Sequence, residues 1–495
     1  MTVLRLDDLL PSSAPDSLAL QVAGGEAWSR GQLRAEQRAW SARFACHPLA
    51  AGAMVAIWAV NSPQWVAAAL GAWARGLVVV PLSPRWTDHE VRGVLDRTPV
   101  ALLLGDRARA ERAHGLGLGL RVACLDEPPQ ASCGERPLPA SAAVSGEPKA
   151  QLGGPERLAA LVPTSGTTGA PKLAMLTARG LGATAALTAE ALGLGPGDVY
   201  WLPMPLAHVG GLGAMCRALG AGAAIALPGP EDPGGALSAW AASGVTHASL
   251  VPTQLLDLTT EAPPPWPPSL RVVLVGGAAS PPDVGARCAM AWTTYGLTEA
   301  GGTVTLGRAD AGGSSGGPLP GWEVRVVDPA GAPVPAGEVG ELLLRGPGLM
   351  AGYWQDAEAT GGVLRDGWLH TGDFGALDAA GRVTVHARRT DLIVSGGANV
   401  YPAEVEGALL AHPAIREAAV LGEPDPRWGQ RVVACVVLRP GVPAPTLEAL
   451  RAVLAPRLAG YKHPRRVVLV PDLPRLGNGK LDRAALRGHV SEARV

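Results

Sequence analysis

The segment "VAIWAVNSPQWVAAALGAWARGLVVVPL", residues 55–82, determines the fold class that we predict for this chain. The apolar runs at its two ends, "VAIWAV" and "LVVVPL", have the length of buried strands. Between them, Ser62 fits a helix N-cap, Pro63 fits the first helical position, and Gly76 lies near the helix end. A strand, a helix and a second strand in this order form a βαβ unit, so we predict an α/β fold with a parallel sheet.

The bulk composition limits the class of protein. A length of 495 residues exceeds what one core normally holds, so we expect two or more domains. The formal net charge of −1 supplies no basic field, which argues against nucleic acid as a partner. The six cysteines contain no CxxC pair, which favours a reducing, cytoplasmic location. We find no signal-peptide pattern and no run of 18 apolar residues, so no membrane span is expected.

The strand and helix patterns recur along the chain. The run "LAALVP" precedes a glycine-rich loop, and "LTARGLGATAALTAEAL" after that loop predicts a helix. The run "LRVVLVGGAA" predicts a strand that enters a turn at Gly276 and Gly277. Open α/β sheets bind ligands beyond the carboxyl ends of their strands, where we expect both the loop and the turn.

The later part of the chain shows two other patterns. From Gly316 onward, short strands such as "WEVRVVD", "GEVGELLLRG" and "GRVTVHA" predict a β-rich subdomain. From about Asp391 the pattern predicts a small α+β unit. Its expected elements are a helix from Pro402, strands at "REAAVLG" and "RVVACVVL", a helix near residues 447–458 and a last strand at "RRVVLV".

The glycine-rich loop is "TSGTTGAPK", residues 164–172. Glycines let a backbone approach phosphate, and hydroxyl and N–H groups donate to its oxygens. The loop does not fit the Walker template, because Gly166 and Gly169 are three apart and Lys172 follows Pro171. From these residues alone, the loop is either a different phosphate cradle or an ordinary surface turn.

Lysine is scarce in this chain. Only Lys149, Lys172, Lys462 and Lys480 occur among 42 lysines and arginines. A lysine in such a chain suits a place that needs a compact point charge rather than a planar guanidinium. Lys172 and Lys480 are therefore candidate site residues, although each also fits a surface lysine.

Five segments resemble, in family order, the motifs of the acyl-adenylate-forming superfamily, which includes acyl-CoA ligases, peptide-synthetase adenylation domains and beetle luciferases. They are "PTSGTTGAPK", "YGLTEA", "LHTGD", "RRTDLIVSGGANVYPAEVE" and "LPRLGNGKLDR", which together span nearly the whole chain. The resemblance implies a large N-terminal domain, residues 1–389, made of two α/β sheet subdomains and a β-rich subdomain. It also implies a small, mobile α+β C-terminal domain, residues 390–495.

The resemblance implies that a carboxylic acid is first joined to AMP, with release of pyrophosphate from ATP. Because the acid and the α-phosphate are both anions, cationic help is needed, and Lys480 is the implied catalytic lysine. Glu299 is the implied Mg²⁺ ligand, and Thr298 beside it contacts phosphate. The implied phosphate-binding residues are Thr164, Ser165, Gly166, Thr167, Thr168, Gly169 and Lys172.

The resemblance also implies where the nucleoside lies. Asp373 would accept hydrogen bonds from the ribose hydroxyls, and Arg388 would contact ribose or phosphate near the hinge. The residues implied to enclose the adenine are Tyr295, Gly296, Gly276, Gly277 and Ala278.

The second implied half-reaction is attack by the thiol of coenzyme A. The C-terminal domain would turn about a hinge at Thr390, which removes Lys480 and brings "SGGANVYP" to the pantetheine tunnel. Ser395, Gly396 and Gly397 are the implied coenzyme A residues, since glycine permits close approach. The same glycines also fit a simple turn between a strand and a helix.

Several segments bear on the identity of the acid. "PMPLAHVGGL" places His208 where family members gate the acid pocket, and "CRALGAGA" places Arg217 on the following helix. This last segment, "HASLVPTQLLDL" and "GSSGGPLPGWEV" look most like o-succinylbenzoate–CoA ligases of menaquinone biosynthesis. The second carboxylate of that acid would need a buried cation, for which Arg217 is the candidate. The alternative is an Arg217 on the helix surface or in an ion pair.

Some positions depart from the family pattern. Leu173 follows the loop lysine where glycine is usual, and Ala398 replaces a common glutamate. Gly301 and Gly302 replace the Ser-Gln often found in o-succinylbenzoate ligases, which bears on the substrate rather than on the reaction class.

We therefore predict an ATP-dependent acid–CoA ligase that uses Mg²⁺ and coenzyme A, with o-succinylbenzoate as the substrate. A fatty-acid or aryl-acid ligase is the alternative. A luciferase-like oxygenase, a carrier-protein adenylation domain and a non-catalytic binding protein are hypotheses from other classes. A homodimer is one assembly typical of the family.

Overall fold

A computed structural model gives the fold of the chain. It describes residues 5–6, 9–10, 14–47, 49–127, 156–164, 171–229, 235–259, 264–277, 283–310, 312–388, 391, 393–395, 398–400, 402–425, 428–456, 458, 460–476 and 481–492.

The described residues contain four β-sheets, two of them in the first 320 residues. Their strands are β1 (Leu18–Val22), β2 (Ala27–Ser29), β3 (Met54–Trp58), β4 (Val78–Leu82), β5 (Val100–Gly105), β6 (Val122–Cys124), β7 (Leu158–Pro163), β8 (Leu173–Thr177), β9 (Val199–Trp201), β10 (Ala224–Leu227), β11 (His247–Leu250), β12 (Val272–Val275), β13 (Ala291–Leu297), β14 (Gly302–Arg308), β15 (Gly317–Pro318), β16 (Glu323–Val327), β17 (Gly340–Arg345), β18 (Leu364–Arg365), β19 (Trp368–Leu377), β20 (Val383–Arg388), β21 (Ile393–Ser395), β22 (Ala398–Val400), β23 (Ile415–Asp425), β24 (Gly429–Leu438) and β25 (Arg466–Leu469).

The helices lie between and beside these sheets. They are α1 (Arg30–Cys46), α2 (Pro63–Ala74), α3 (Asp88–Leu95), α4 (Arg107–Gly115), α5 (Ala178–Leu192), α6 (Val209–Gly220), α7 (Gly235–Ala242), α8 (Pro252–Leu258), α9 (Val284–Arg287), α10 (Ala357–Val363), α11 (Pro402–Leu409), α12 (Leu447–Leu454) and α13 (Arg483–Glu492). Across the described ranges, we find no helix with the length and apolar character that crossing a bilayer requires.

The βαβ unit predicted from residues 55–82 is confirmed. β3 and β4 pair in parallel, and α2 connects them. The Ser62 hydroxyl accepts a hydrogen bond from the Trp65 N–H, and Pro63 stands in the first turn. Trp65 and Trp73 are almost fully buried, because α2 packs against α1 on one side and the sheets on the other.

Two large sheets form most of the N-terminal part. The six-stranded sheet has the order β6-β5-β3-β4-β7-β8, and the nine-stranded sheet has the order β15-β14-β13-β12-β11-β9-β10-β1-β2. One buried apolar cluster contains side chains from both sheets and from α1, α2, α5 and α6. β7 and β12 each pair in parallel with a neighbouring strand, so the glycine-rich loop and the Gly276 turn follow carboxyl ends, as predicted.

The predicted β-rich subdomain is confirmed as a five-stranded antiparallel sheet. Its order is β16-β17-β19-β18, and β20 pairs with β19. The "LHTGD" motif lies within β19, which therefore presents Asp373 from this sheet.

The C-terminal sheet has the order β22-β21-β24-β23, with β25 beside β24, and the predicted helices and strands are present. Helix α12 ends at Leu454 rather than at 458. The glycine turn expected at Gly396 and Gly397 lies outside the described residues. On either side of it, Ser395 and Ala398 pair in the antiparallel β21–β22 pair, and helix α11 begins later, at Pro402.

The helix predicted after the glycine-rich loop begins two residues late. Leu176 and Thr177 end β8, and the Thr177 hydroxyl caps α5 by accepting a hydrogen bond from the Gly180 N–H. Because its side chain accepts a backbone hydrogen bond, Thr177 serves as the N-cap of the helix and does not form part of the helix itself.

Candidate active site

A cavity of about 1040 Å³ opens where the carboxyl ends of strands in the two large sheets meet the five-stranded sheet. It brings together residues from motifs that are far apart along the chain. The predicted site residues that line it are Thr164, Lys172, His208, Arg217, Gly276, Gly277, Gly296, Thr298, Glu299 and Asp373.

Other predicted site residues lie elsewhere or outside the described residues. Ser395 is buried in the C-terminal sheet, and Arg388 stands opposite Asp373 in the backbone pairing of β20 with β19. Leu476, from the same motif as Lys480, lines the cavity. The predicted residues outside the described part are Ser165, Gly166, Thr167, Thr168, Gly169, Ala278, Thr390, Gly396, Gly397 and Lys480.

The predicted ribose residue is held in one orientation. Asp373 is 5% exposed, and its Oδ2 accepts a hydrogen bond of 2.7 Å from the Tyr295 hydroxyl. The Asp373 N–H donates to the Thr371 hydroxyl at 2.9 Å. The hydroxyl of Tyr295, from the nine-stranded sheet, therefore orients the carboxylate, while Thr371 of the same strand bonds the Asp373 backbone.

The predicted metal ligand is held in a similar way. Glu299 lies in a short 3-10 helix, Thr298–Ala300, that follows β13. Its Oε1 accepts a hydrogen bond of 2.9 Å from the hydroxyl of Tyr353. The Nζ atom of Lys172 lies 5.1 Å from the centroid of the same tyrosine ring, within cation–π range.

Two glycines on the cavity wall stand where a side chain would collide. A Cβ atom at Gly276 would lie 2.4 Å from the Thr294 methyl group, and one at Gly296 would lie 2.0 Å from the Gly302 carbonyl oxygen. At both positions glycine lets the neighbouring chain approach closely on either side of Tyr295 in β13.

The opposite end of the cavity is lined by α6, from its N-cap to Arg217 in its third turn. His208 occupies the N-cap position of α6 and lines the cavity. Arg217 lies further along α6 and is only 5% exposed, so the alternative of a surface arginine is wrong. Within the described part of the chain, its Nε and Nη1 atoms have no hydrogen-bond partner, and it forms no ion pair.

A cluster of polar side chains surrounds Arg217. Its guanidinium carbon lies 5.6 Å from the centroid of the Tyr200 ring. The hydroxyls of Tyr200 and Ser249 share a hydrogen bond of 2.5 Å, and Ser249 also lines the cavity. The ring of His247 also stacks with that of Tyr200, with 6.2 Å between ring centroids. Burial lowers the pKa of His247, which favours its neutral form beside Arg217.

Sequence reasoning missed three of these side chains: Tyr353, Ser249 and Tyr200. Tyr353 carries a weak signal, since tyrosine occurs only five times in the chain and this one follows a glycine in "AGYWQD". Ser249 lies inside the quoted segment "HASLVPTQLLDL", but nothing in its local pattern distinguishes it from a strand residue.

The residues present fit a magnesium nucleotide. Mg²⁺ binds through one or two carboxylates together with phosphate oxygens and water, and Glu299 supplies such a carboxylate beside Thr298 and Lys172. Lys172 and the backbone of Thr164, whose N–H donates to the Lys172 carbonyl at 2.8 Å, frame the ends of the glycine-rich loop.

Two family models match this chain. The model described as AMP-binding enzyme covers residues 11–354, and the model described as AMP-binding enzyme C-terminal domain covers residues 404–480.

Several named proteins are similar to the chain over most of its length. A feruloyl-CoA synthase of Amycolatopsis sp is 37% identical over 457 residues, 88% of each chain. A 2-succinylbenzoate–CoA ligase of Bacillus cereus is 36% identical over 407 residues, 79% of this chain and 84% of the relative. The o-succinylbenzoate CoA synthetase of Bacillus subtilis, solved with the acyl-adenylate OSB-AMP, has a TM-score of 0.82 and 30% identity over 96% of both chains. That synthetase has also been solved with ATP and a magnesium ion.

Proposed function

Because this chain belongs to the AMP-binding enzyme family and is an acid–CoA ligase that uses ATP, Mg²⁺ and coenzyme A, we propose that its acid substrate is o-succinylbenzoate. The product would then serve menaquinone biosynthesis. The observation that carries the proposal is Arg217, a buried cation at the α6 end of the cavity, which we assign to the acid and call the acid end. Among the described residues, its Nε and Nη1 atoms have no hydrogen-bond partner.

A buried donor without a partner destabilises a protein by about 1–3 kcal/mol, and a charged donor by more. The face of Tyr200 compensates for part of this cost, since a cation over an aromatic ring gains roughly 0.5–2 kcal/mol. The Tyr200 ring offers no acceptor oxygens. The second carboxylate of o-succinylbenzoate would offer two to the guanidinium of Arg217. This arrangement therefore favours an acid with two carboxylates.

The first half-reaction follows from the opposite end of the cavity. We assign Glu299 to Mg²⁺, Asp373 to the ribose hydroxyls, and Lys172 to the phosphates. Mg²⁺ supplies positive charge to the phosphate oxygens when it is bound. The reacting carboxylate attacks the α-phosphorus, a new acyl–phosphate bond forms, and pyrophosphate leaves. We assign Lys480 to the developing charge at this point, since electrostatic stabilisation is usually the largest single contribution to such a step.

The second half-reaction uses the C-terminal domain. We propose that this domain, residues 390–495, turns about Thr390 after adenylation, and that Ser395, Gly396 and Gly397 then face the pantetheine arm. The thiolate of coenzyme A attacks the acyl carbon, and AMP leaves with the electron pair of the broken bond. The thioester is the product.

Ferulate is the second candidate substrate, because the feruloyl-CoA synthase of Amycolatopsis sp is 37% identical over 88% of this chain. The ring of ferulate carries a hydroxyl and a methoxy group, which accept hydrogen bonds but bear no charge at neutral pH. Ferulate would leave the charge of Arg217 without a counter-ion, so the geometry favours the dicarboxylate.

A panel of acids tests the proposal. Pyrophosphate release is measured with and without coenzyme A for o-succinylbenzoate, ferulate, benzoate and hexanoate. We expect kcat/KM for o-succinylbenzoate to exceed the others by at least about 10-fold, since a site built around a polar group discriminates strongly against acids that lack it. A faster thioester formation with ferulate or hexanoate would overturn the substrate assignment while leaving the reaction class intact.

A further inference from the structure

A short segment, residues 350–356, links the phosphate-binding and metal-binding sides of the cavity. We call it the strap. The Trp354 N–H donates to the carbonyl of Leu173, the residue that follows Lys172, at 2.8 Å. The Met350 N–H donates to the Glu299 carbonyl, also at 2.8 Å. The strap is thus bonded through its backbone to both sides.

Tyr353 is the side chain of the strap that enters the site. It is 7% exposed, its hydroxyl donates to Glu299 Oε1 at 2.9 Å, and its ring faces the Lys172 ammonium at 5.1 Å. Its own N–H donates to the hydroxyl of Thr360, in the middle of α10, at 2.9 Å. One fixed side chain therefore contacts both the carboxylate and the ammonium group.

We propose that Tyr353 is a positioning residue for the magnesium nucleotide, an inference that rests on the proposed role of Glu299. An ammonium and a carboxylate that share one cavity attract each other, and a direct pair would have to be broken before either could bind a ligand. Tyr353 gives each charge a neutral partner instead. Its hydroxyl orients Glu299 toward Mg²⁺, and its ring holds Lys172 beside the phosphate loop.

Two substitutions separate the hydroxyl from the ring. Tyr353→Phe removes only the hydrogen bond, so we expect the Mg²⁺ concentration for half-maximal ATP binding to rise about 10-fold, as is usual when a group that orients a metal ligand is lost. ATP affinity in EDTA should not change. Tyr353→Leu also removes the ring, so ATP affinity in EDTA should fall about 3-fold, the size of a modest cation–π contact. Both quantities are measured by calorimetry on the full chain.

Tyr200→Phe is the matched control, because it removes a buried, hydrogen-bonded tyrosine hydroxyl at the acid end and should leave the Mg²⁺ dependence unchanged. Glu299→Gln separates the two proposals. If Glu299→Gln raises the Mg²⁺ requirement and Tyr353→Phe does not, the role of Tyr353 is overturned and that of Glu299 stands. If Glu299→Gln also has no effect, the proposed metal site itself fails. Should Tyr353→Leu not fold, Tyr353→Phe decides alone.

Discussion

The two ends of the cavity differ in whether their charged side chains have hydrogen-bond partners among the described residues. At the nucleotide end, two carboxylates are each held by a tyrosine hydroxyl, Asp373 by Tyr295 and Glu299 by Tyr353. At the acid end, the charged group is Arg217, whose Nε and Nη1 atoms have no partner among the described residues.

The difference indicates what each end does before its ligand arrives. Neutral donors at the proposed nucleotide end fix the direction of the carboxylates without cancelling their charge, so under our assignment both are oriented in advance for ribose and metal. In our proposal the acid end instead keeps a cation, Arg217, whose desolvation cost is recovered when an anionic acid binds. The first arrangement favours affinity for a common cofactor, and the second favours selection among acids.

The largest effect should come from the residue assigned to the junction of the two ends. We expect Lys480→Ala to slow acyl-AMP formation by about 10²–10³-fold, since the developing charge on the α-phosphate loses its cation. Pyrophosphate exchange into ATP measures this step. Lys462→Ala is the control, because Lys462 is ion-paired with Glu404 within the C-terminal part. A loss of only a few-fold for Lys480→Ala would refute the catalytic assignment.

A smaller effect should distinguish the carboxylate from the tyrosine that holds it. Asp373→Asn removes the charge that we assign to the ribose hydroxyls, so we expect the KM for ATP to rise about 10-fold. Tyr295→Phe retains the carboxylate and should raise the same KM by only about 3-fold, as one hydrogen bond is lost. Steady-state kinetics at saturating acid provide the comparison. A larger effect from Tyr295→Phe would reverse the proposed order of importance.

The smallest effect concerns stability at the acid end. Burial lowers the pKa of His247, against the opposing effects of the Leu192 carbonyl and Asp198, while Arg271 and Arg217 lower it further. An unfolded chain therefore binds a proton near pH 6.5 that the folded chain does not bind, and stability falls as the pH drops below about 6.5.

The variant His247→Gln cannot take up this proton in either state. We expect the difference in thermal midpoint between the wild type and His247→Gln to shrink between pH 8 and pH 5. A constant difference over that range would show that His247 is not kept neutral by its surroundings.

Local patterns predicted the fold because they depend on neighbours in sequence. The capping of α2 by Ser62 and the parallel pairing of β3 with β4 follow from apolar runs and one N-cap. The same reasoning placed the start of α5 two residues early, since the side chain of Thr177 ends the strand and caps the helix.

The pairings inside the site were beyond such reasoning. Tyr295 and Asp373 are 78 positions apart, and Tyr353 and Glu299 are 54 apart, so each contact depends on how separate sheets and loops pack. The burial of Arg217 was also beyond local sequence patterns. These patterns place the residue on a helix, but its burial depends on the packing of α6 against α5 and β10. Motif resemblance named the residues, whereas packing determined their partners.

The central claim is that Arg217 recognises a second carboxylate. The most direct test compares kcat/KM of the wild type and Arg217→Leu on o-succinylbenzoate and on 3-benzoylpropanoate, which is the same acid without its ring carboxylate. We expect Arg217→Leu to lose about 100-fold on o-succinylbenzoate, the effect of removing one partner of a buried charge pair, and less than about 3-fold on 3-benzoylpropanoate. Equal losses on the two acids, or no loss on o-succinylbenzoate, would contradict the claim.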